Sequence, residues 1–452
     1  NRIEGAIGSL LGSNHPTTVD VTYDEASGIA VLTGRGLVEP SWKRENGRLE
    51  LDVPYQALAD FSFNVSRDRA DIADLPVSVN GPLYNNRHIE WLLPEEDGAF
   101  RVIGGAPVDT VIGGTQLVAN QTLDARRFKL DESVRSVAWE IPASDLPQIR
   151  RDALRLQRGL PRIIAPSDAH MVWDDRDEIA RLTAPIASMY DAILAREEDP
   201  DELVALHRDR GYFRYDISDF EGALEDYDKA LEGDPSAQSY SDRAWVRLQL
   251  GDDEGVVSDI EAAAELDPEY GLAQQRQIAL ALLGRGDESV TLADEYGVFL
   301  EDASVQAQQR AYALGQAGRI DEGRALLEEE LEFTPSDANL LNASCWYDGI
   351  WNRVTEETVD RCTRAIEGMN NSVAALDSRA LALFRLGRND EALRDLDRVL
   401  TIDPEMQGSR YLRGVIRSHS GDADGAREDI GIVRWASPYT PRQYALWGLK
   451  PR

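Results

Sequence analysis

The feature that most constrains this chain is a recurrence. From about residue 204 to residue 440 the same punctuation returns every 33 to 35 residues. Pro235, Pro268, Pro335, Pro404 and Pro438 close successive units, with Asp302 and Asn370 standing where two further prolines would fall. Gly251, Gly284, Gly318, Gly387 and Gly421 run in parallel, and small residues (Gly211, Ala244, Ala311, Ala380, Gly414) form a third ladder. Ala223, Ala392 and Ala426 follow twelve residues after three of those small residues. A unit of this length holds two helices and two turns. Small residues let the two helices approach, and such a pair cannot bury its apolar face without neighbours.

Seven units start near 204, 237, 271, 304, 339, 373 and 407, the third and fifth departing furthest from the pattern. Their ladders resemble the tetratricopeptide repeat. The resemblance implies right-handed stacking of the pairs, with the first helices lining a concave groove. Residues 1–142 read differently. "TTVDVTYDEASGIAVLTGRG" alternates apolar and polar on both sides of Asp24–Gly28, a hairpin pattern. "RLELDV", "FSFNV", "AFRVIGG", "TQLVANQTL" and "SVRSVAWEIP" are further strand-length runs bounded by turn residues. Helical periodicity begins in "ASDLPQIRRDALRLQRGL". The expected fold class is α+β and multidomain: an N-terminal antiparallel β-sandwich over 1–142, a helical connector over 143–203, an all-α solenoid over 204–440, and a tail over 441–452.

Two charged positions recur within the units. Arg210, Arg243, Arg310, Arg379 and Arg413 occupy one place in the first helix, and Asp226, Asp259, Asp395 and Asp429 follow sixteen residues later in four of the five. In an antiparallel hairpin these positions face each other, so four structural ion pairs are expected: Arg210–Asp226, Arg243–Asp259, Arg379–Asp395 and Arg413–Asp429. Leu326 replaces the aspartate in the fourth unit, leaving Arg310 to turn to Glu328 or Glu329. In the fifth unit Cys345 takes the arginine's place and Cys362 lies seventeen residues on. A disulfide between the two helices is expected if the compartment is oxidising. Two buried free thiols are the alternative.

Chemistry is harder to find. His15, His88, His170, His207 and His419 are scattered, no cluster has metal-ligand spacing, and no phosphate loop or nucleophile motif occurs. "VIGG" appears at 102–105 and 111–114 without a following Lys-Ser/Thr, which reads as turn glycine. "EEDPDE" (197–202) and "LEEELE" (327–332) read as solvated helix ends or faces rather than calcium ligands. No catalytic residue, cofactor or metal is expected. The net charge of -33 disfavours nucleic acid and anionic membrane surfaces, and no apolar run is long enough to span a bilayer. A protein or peptide partner remains.

The tetratricopeptide resemblance implies that the groove is faced by Tyr212, Tyr215, Trp245, Tyr312, Tyr347, Trp351, Phe384 and Tyr411, aromatic anchors suited to a polypeptide segment. Packing between neighbouring units is the competing role for each. The chain order, with "LPVSVNGPLYNNRHIEWLLPEEDGAFRVIGGAPVDTVIGGTQL" (75–117), "LLNASCWYDGIWN" and a final "QYALWGLKPR", resembles the C-terminal half of proteobacterial proteins that carry a DUF3857 domain and a transglutaminase-like core. That resemblance implies a periplasmic or envelope-associated protein, in keeping with a chain that opens at Asn1, either after removal of a leader or as part of something longer. It carries over no catalytic residue. The expected function is a noncatalytic envelope scaffold. Two alternatives stand beside it: accessory domains of a transglutaminase-like or protease-like enzyme whose core lies outside this chain, and glycan binding by the sandwich through Trp42, Trp91 and Trp139.

Overall fold

A computed structural model describes residues 18–24, 29–35, 43–45, 48–53, 75–78, 84–93, 99–166, 175–297, 300, 302–369 and 372–452. The chain divides into two compact units, Glu39–Met171 and a second made of Asn1–Val38 with Val172–Arg452. In the second, strands β1 (Thr18–Asp24) and β2 (Ile29–Arg35) pair antiparallel, Asp24 opposite Ile29, as the alternation about Asp24–Gly28 predicts.

The Glu39–Met171 unit contains β3 (Lys43–Glu45), β4 (Arg48–Asp52), β5 (Val77–Ser78), β6 (Tyr84–Leu92), β7 (Arg101–Ile103), β8 (Val108–Ile112), β9 (Thr115–Asp124), β10 (Arg127–Ser136), β11 (Glu140–Ile141), helix α1 (Leu146–Arg158) and β12 (Arg162–Ile164). One four-stranded sheet has the order β6-β10-β9-β8 and another β3-β4-β12-β7, all neighbours antiparallel. Alternate residues of β9 and β10 (Leu117, Ala119, Phe128, Leu130) are buried, as period-two strands require. They share one core with Leu51 and Ile163 of the other sheet. The second "VIGG" ends in the β8–β9 turn, where Gly113 and Gly114 have φ of 56° and 75°. This is the left-handed geometry a two-residue hairpin demands.

One stretch departs from the expected helical connector. Arg162–Ile164 is a strand lying between β4 and β7. Three residues are too few to show a period, and the partner strands, Arg48–Asp52 and Arg101–Ile103, are both distant in sequence. Only the fold reveals it.

Helix α2 (Arg176–Leu194) precedes seven helix pairs: α3 and α4 (Pro200–Asp216, Phe220–Gly233), α5 and α6 (Ala237–Leu250, Asp253–Leu266), α7 and α8 (Gln274–Leu282, Gly286–Tyr296), α9 and α10 (Ala303–Gln316, Ile320–Phe333), α11 and α12 (Ala338–Ile350, Glu356–Gly368), α13 and α14 (Val373–Arg385, Asn389–Ile402), and α15 and α16 (Gln407–Ser420, Ala423–Ala436). The five turn glycines between paired helices all have positive φ, from 71° to 89°. Ser218 and Asn352 take the same conformation in the two pairs that lack the glycine. Ala244, Ala311 and Ala380 are fully buried at the helix crossings, and a Cβ on Gly211 would press on the Tyr227 ring at 3.2 Å.

A final helix, α17 (Tyr439–Leu446), leaves the seventh pair and packs against earlier ones. Tyr439 meets Trp245 of α5 with ring centroids 6.3 Å apart, and Tyr444 meets Tyr411 of α15 at 5.3 Å. An eight-residue helix is about 12 Å long. The second and seventh pairs therefore come close together, and α17 spans the gap between them.

Candidate functional site

The recurrent charges form clasps in four of the seven helix pairs. Arg210 holds Asp226 through Nε and Nη2 at 2.8 and 2.7 Å, and Arg243 holds Asp259 in the same way at 3.0 and 2.6 Å. Arg379–Asp395 and Arg413–Asp429 repeat this two-bond fork. The third guanidinium nitrogen reaches backwards to the preceding pair or helix: Arg210 to Asp191, Arg243 to Asp228, Arg379 to Thr363 and Arg413 to Asp397. Each arginine thus joins two helices of one pair and also ties that pair to its predecessor. The planar fork of arginine suits it to both.

The partner expected for Arg310 is corrected. With Leu326 in the aspartate's place, Arg310 bonds Asp294 of the preceding pair at 2.9 Å, keeping the backward half of the clasp, while Glu328 bonds Arg324. Arg276 does likewise with Glu261 in the third unit, a member the spacing did not single out.

Three clasps are larger than the sixteen-residue pattern suggests. Arg214, Arg247 and Arg417 add a further bond to Asp226, Asp259 and Asp429, and each also donates to the carbonyl of Gly222, Gly255 or Gly425. Those glycines donate their N–H to the helix-capping Asp219, Asp252 and Asp422. His207 completes the first clasp with a 2.8 Å contact to Asp226. In the third, fourth and sixth pairs a different lock occupies this end: Arg285–Glu288, Arg319–Glu322 and Arg388–Glu391.

In the fifth pair Cys345 and Cys362 are joined, with sulfurs 2.00 Å and Cα atoms 5.4 Å apart. Both residues are fully buried. The covalent bond sits where its neighbours carry ion pairs.

The eight aromatics take four different positions. Tyr215, Tyr312 and Tyr347 line a cavity bounded by the first helices and α17. Tyr347 is nevertheless 3% exposed, and its hydroxyl donates to the carbonyl of Ile320 at 2.9 Å. Tyr411 is equally buried, and Trp245 lies beneath Tyr439. Trp351 packs its indole edge where a Cβ on Gly315 would fall, and Phe384 meets His419 edge-on at 5.5 Å. Tyr212 is 62% exposed and lies outside the cavity wall. Tyr347 and Tyr411 are thus buried within the solenoid, while Trp351 and Phe384 are half-buried against its core.

The segment expected as a tail covers part of this face. Arg442 bonds Asp253 at 2.9 Å and donates to the carbonyl of Leu248 at 2.7 Å. Trp447 meets Trp346 edge-on at 5.6 Å, and its carbonyl accepts from Arg385 at 2.7 Å. His419 Nε2 lies 3.0 Å from the carbonyl of Lys450, and the backbone N–H of Arg452 donates to Ser418. Residues 439–452 carry Arg442, Lys450 and Arg452 and no acidic residue, in a chain of net charge -33. Aromatic faces and opposite charge hold them in place.

Elsewhere, His88 contacts Asp131 on the sheet surface at 2.6 Å, and Glu197 and Asp199 accept backbone N–H groups at the start of α3. His15, His170 and Trp42 lie outside the described residues. Trp91 packs at a tilt against Phe128, ring centroids 5.6 Å apart, whereas Trp139 is 65% exposed. Among the described residues no group of His, Cys, Asp and Glu could hold a metal ion, and no helix is long and apolar enough to cross a membrane.

Residues 378–431 match the family model of the tetratricopeptide repeat, covering the sixth and seventh pairs. A tetratricopeptide repeat protein from Parabacteroides merdae is similar over 56% of this chain and 98% of its own, at 14% identity and a TM-score of 0.39. MamA AMB-1 is similar over 37% of this chain and 96% of its own, at 20% identity and 0.26. Yeast Tom70 is similar over 53% and 63%, at 18% identity and 0.24. No curated protein matches the sequence. The match identifies tetratricopeptide repeats in the sixth and seventh pairs, and repeats of this kind generally mediate protein–protein interaction.

Proposed function

We propose that this chain is a noncatalytic scaffold whose concave repeat face holds a polypeptide partner, and that it works in the periplasm or cell envelope. One observation carries the reading: the face already holds a polypeptide segment, its own residues 439–452, through aromatic contacts and the Arg442–Asp253 pair. A partner of like chemistry, basic and aromatic, suits the same surface. The Cys345–Cys362 bond supports an oxidising compartment. Two antiparallel sheets around one core support the sandwich reading of the N-terminal unit, with Trp139 its exposed aromatic.

A photo-reactive residue in place of the half-exposed Gln308 tests the proposal in the native cell. The expected product is a discrete polypeptide adduct that a synthetic peptide of residues 437–452 competes away. An adduct pattern indifferent to that peptide, or none to polypeptide, contradicts it. Trp245→Ala is the companion variant. Tyr347→Ala is unsuitable, because it would leave a hole in the core.

A further inference from the structure

The cavity beside α17 has a volume of about 710 Å³, within the range of small-molecule sites. Its wall is chemically narrow. Seven glutamines, five tyrosines and two tryptophans line it, and Glu405 is the single charged side chain among the described lining residues. Burial raises the phenols of Tyr312, Tyr439 and Tyr444 and pushes that of Tyr215 up to about 12, so they stay neutral at ordinary pH. An anion finds no countercharge on this wall.

Gln249 is the informative residue. It is 6% exposed, and its Nε2 donates to the Tyr215 hydroxyl at 3.1 Å. Its Oε1 has no partner, and the same holds for Oε1 of Gln407 on the same wall. A buried acceptor left unpaired costs about 1–3 kcal/mol, so a turn of either amide toward the cavity, where a ligand hydroxyl donates to it, recovers that cost. Gln277 and Gln309 are bonded to each other at 2.8 Å, which holds a further part of the wall in place.

We propose that this cavity binds a short neutral saccharide, whose hydroxyls donate to Gln249 and Gln407 and whose rings lie against the tyrosine and tryptophan faces. Amide side chains both donate and accept, as hydroxyls do, so a ring of them matches a polyol. A peptide fits the wall less well. Ile278, Leu327 and Met406 are its main apolar side chains outside the aromatics, leaving little to receive apolar anchors. The site shares Gln308 and the tail residues Tyr439, Tyr444 and Trp447 with the polypeptide surface proposed above, but its saccharide chemistry does not rest on that reading.

Calorimetric titration of the full chain with maltose, cellobiose and N,N′-diacetylchitobiose, beside a capped neutral tetrapeptide, tests the assignment. At least one saccharide is expected to bind one-to-one, with affinity unchanged between about 50 and about 500 mM salt because no charge pairs form. Gln249→Met should weaken it about tenfold, the worth of one buried hydrogen bond. Gln308→Ala, a half-exposed wall position, should weaken it about threefold, and it decides the matter if Gln249→Met fails to fold. No binding by any of the three sugars overturns the proposal. So does binding that neither substitution weakens, or tighter binding of the tetrapeptide.

Discussion

Arg442 on the last helix bonds Asp253 at the start of α6, 189 residues earlier, through both of its terminal nitrogens. One ion pair therefore ties the end of the chain to its second repeat, with Asp253 mostly buried and Arg442 about one-third exposed. Arg442→Ala removes it together with the bond to the Leu248 carbonyl. A loss of about 1–2 kcal/mol is expected in urea unfolding, reduced from a fully buried pair by solvent screening. Amide exchange in 439–446 should accelerate, while that in α12 stays unchanged.

The clasps should not be equal. Asp226 is fully buried and receives Arg210, Arg214 and His207, whereas Asp395 is held by Arg379. Removing a carboxylate strands the cations around it. Asp226→Ala is expected to cost about 3–5 kcal/mol and Asp395→Ala about 1–3 kcal/mol, measured by equilibrium unfolding. Equal costs would mean that the additional donors contribute nothing.

Reducing the Cys345–Cys362 bond opens a loop with a sequence separation of 17. Loop entropy puts the loss near about 3 kcal/mol. Intact mass before and after alkylation under reducing and native conditions checks the bond itself, and thermal unfolding with and without reductant checks its worth.

Asp377 gives a pH signature. Burial pushes its carboxyl up to about 6, against the bond it accepts from Ser409, which acts downward. Because the folded value lies above the unfolded one, the native state holds the proton more tightly. Stability therefore falls as pH rises from about 4 to about 6 and is level above, by about 1–3 kcal/mol in all. Asp377→Asn should flatten that slope and raise Tm at neutral pH.

The repeat ladder was legible because each rung is local. A glycine at positive φ, an alanine at a crossing or an arginine sixteen residues before an aspartate reports the same geometry wherever it recurs. Ser218 and Asn352 hid two rungs because polar residues can also adopt that φ. What stayed hidden depends on distant chain. Strand Arg162–Ile164 is defined by its partners rather than its composition, and α17 by a face assembled from the second to the seventh pairs. The glutamine wall was also missed. Gln249, Gln277, Gln308 and Gln309 recur among the first helices, but glutamine is an ordinary residue on a helix surface and carries no signal until the fold brings the four together.

The concave face as a polypeptide-holding surface is tested most directly with a chain ending at Ala436 and a labelled peptide of residues 437–452. With circular dichroism confirming that the shortened chain stays helical, fluorescence anisotropy should show saturable binding, at about micromolar Kd, and at least about fivefold weaker binding of the Arg442→Ala peptide. A helical, monomeric chain that leaves the peptide free at about a hundred times that concentration would contradict the account.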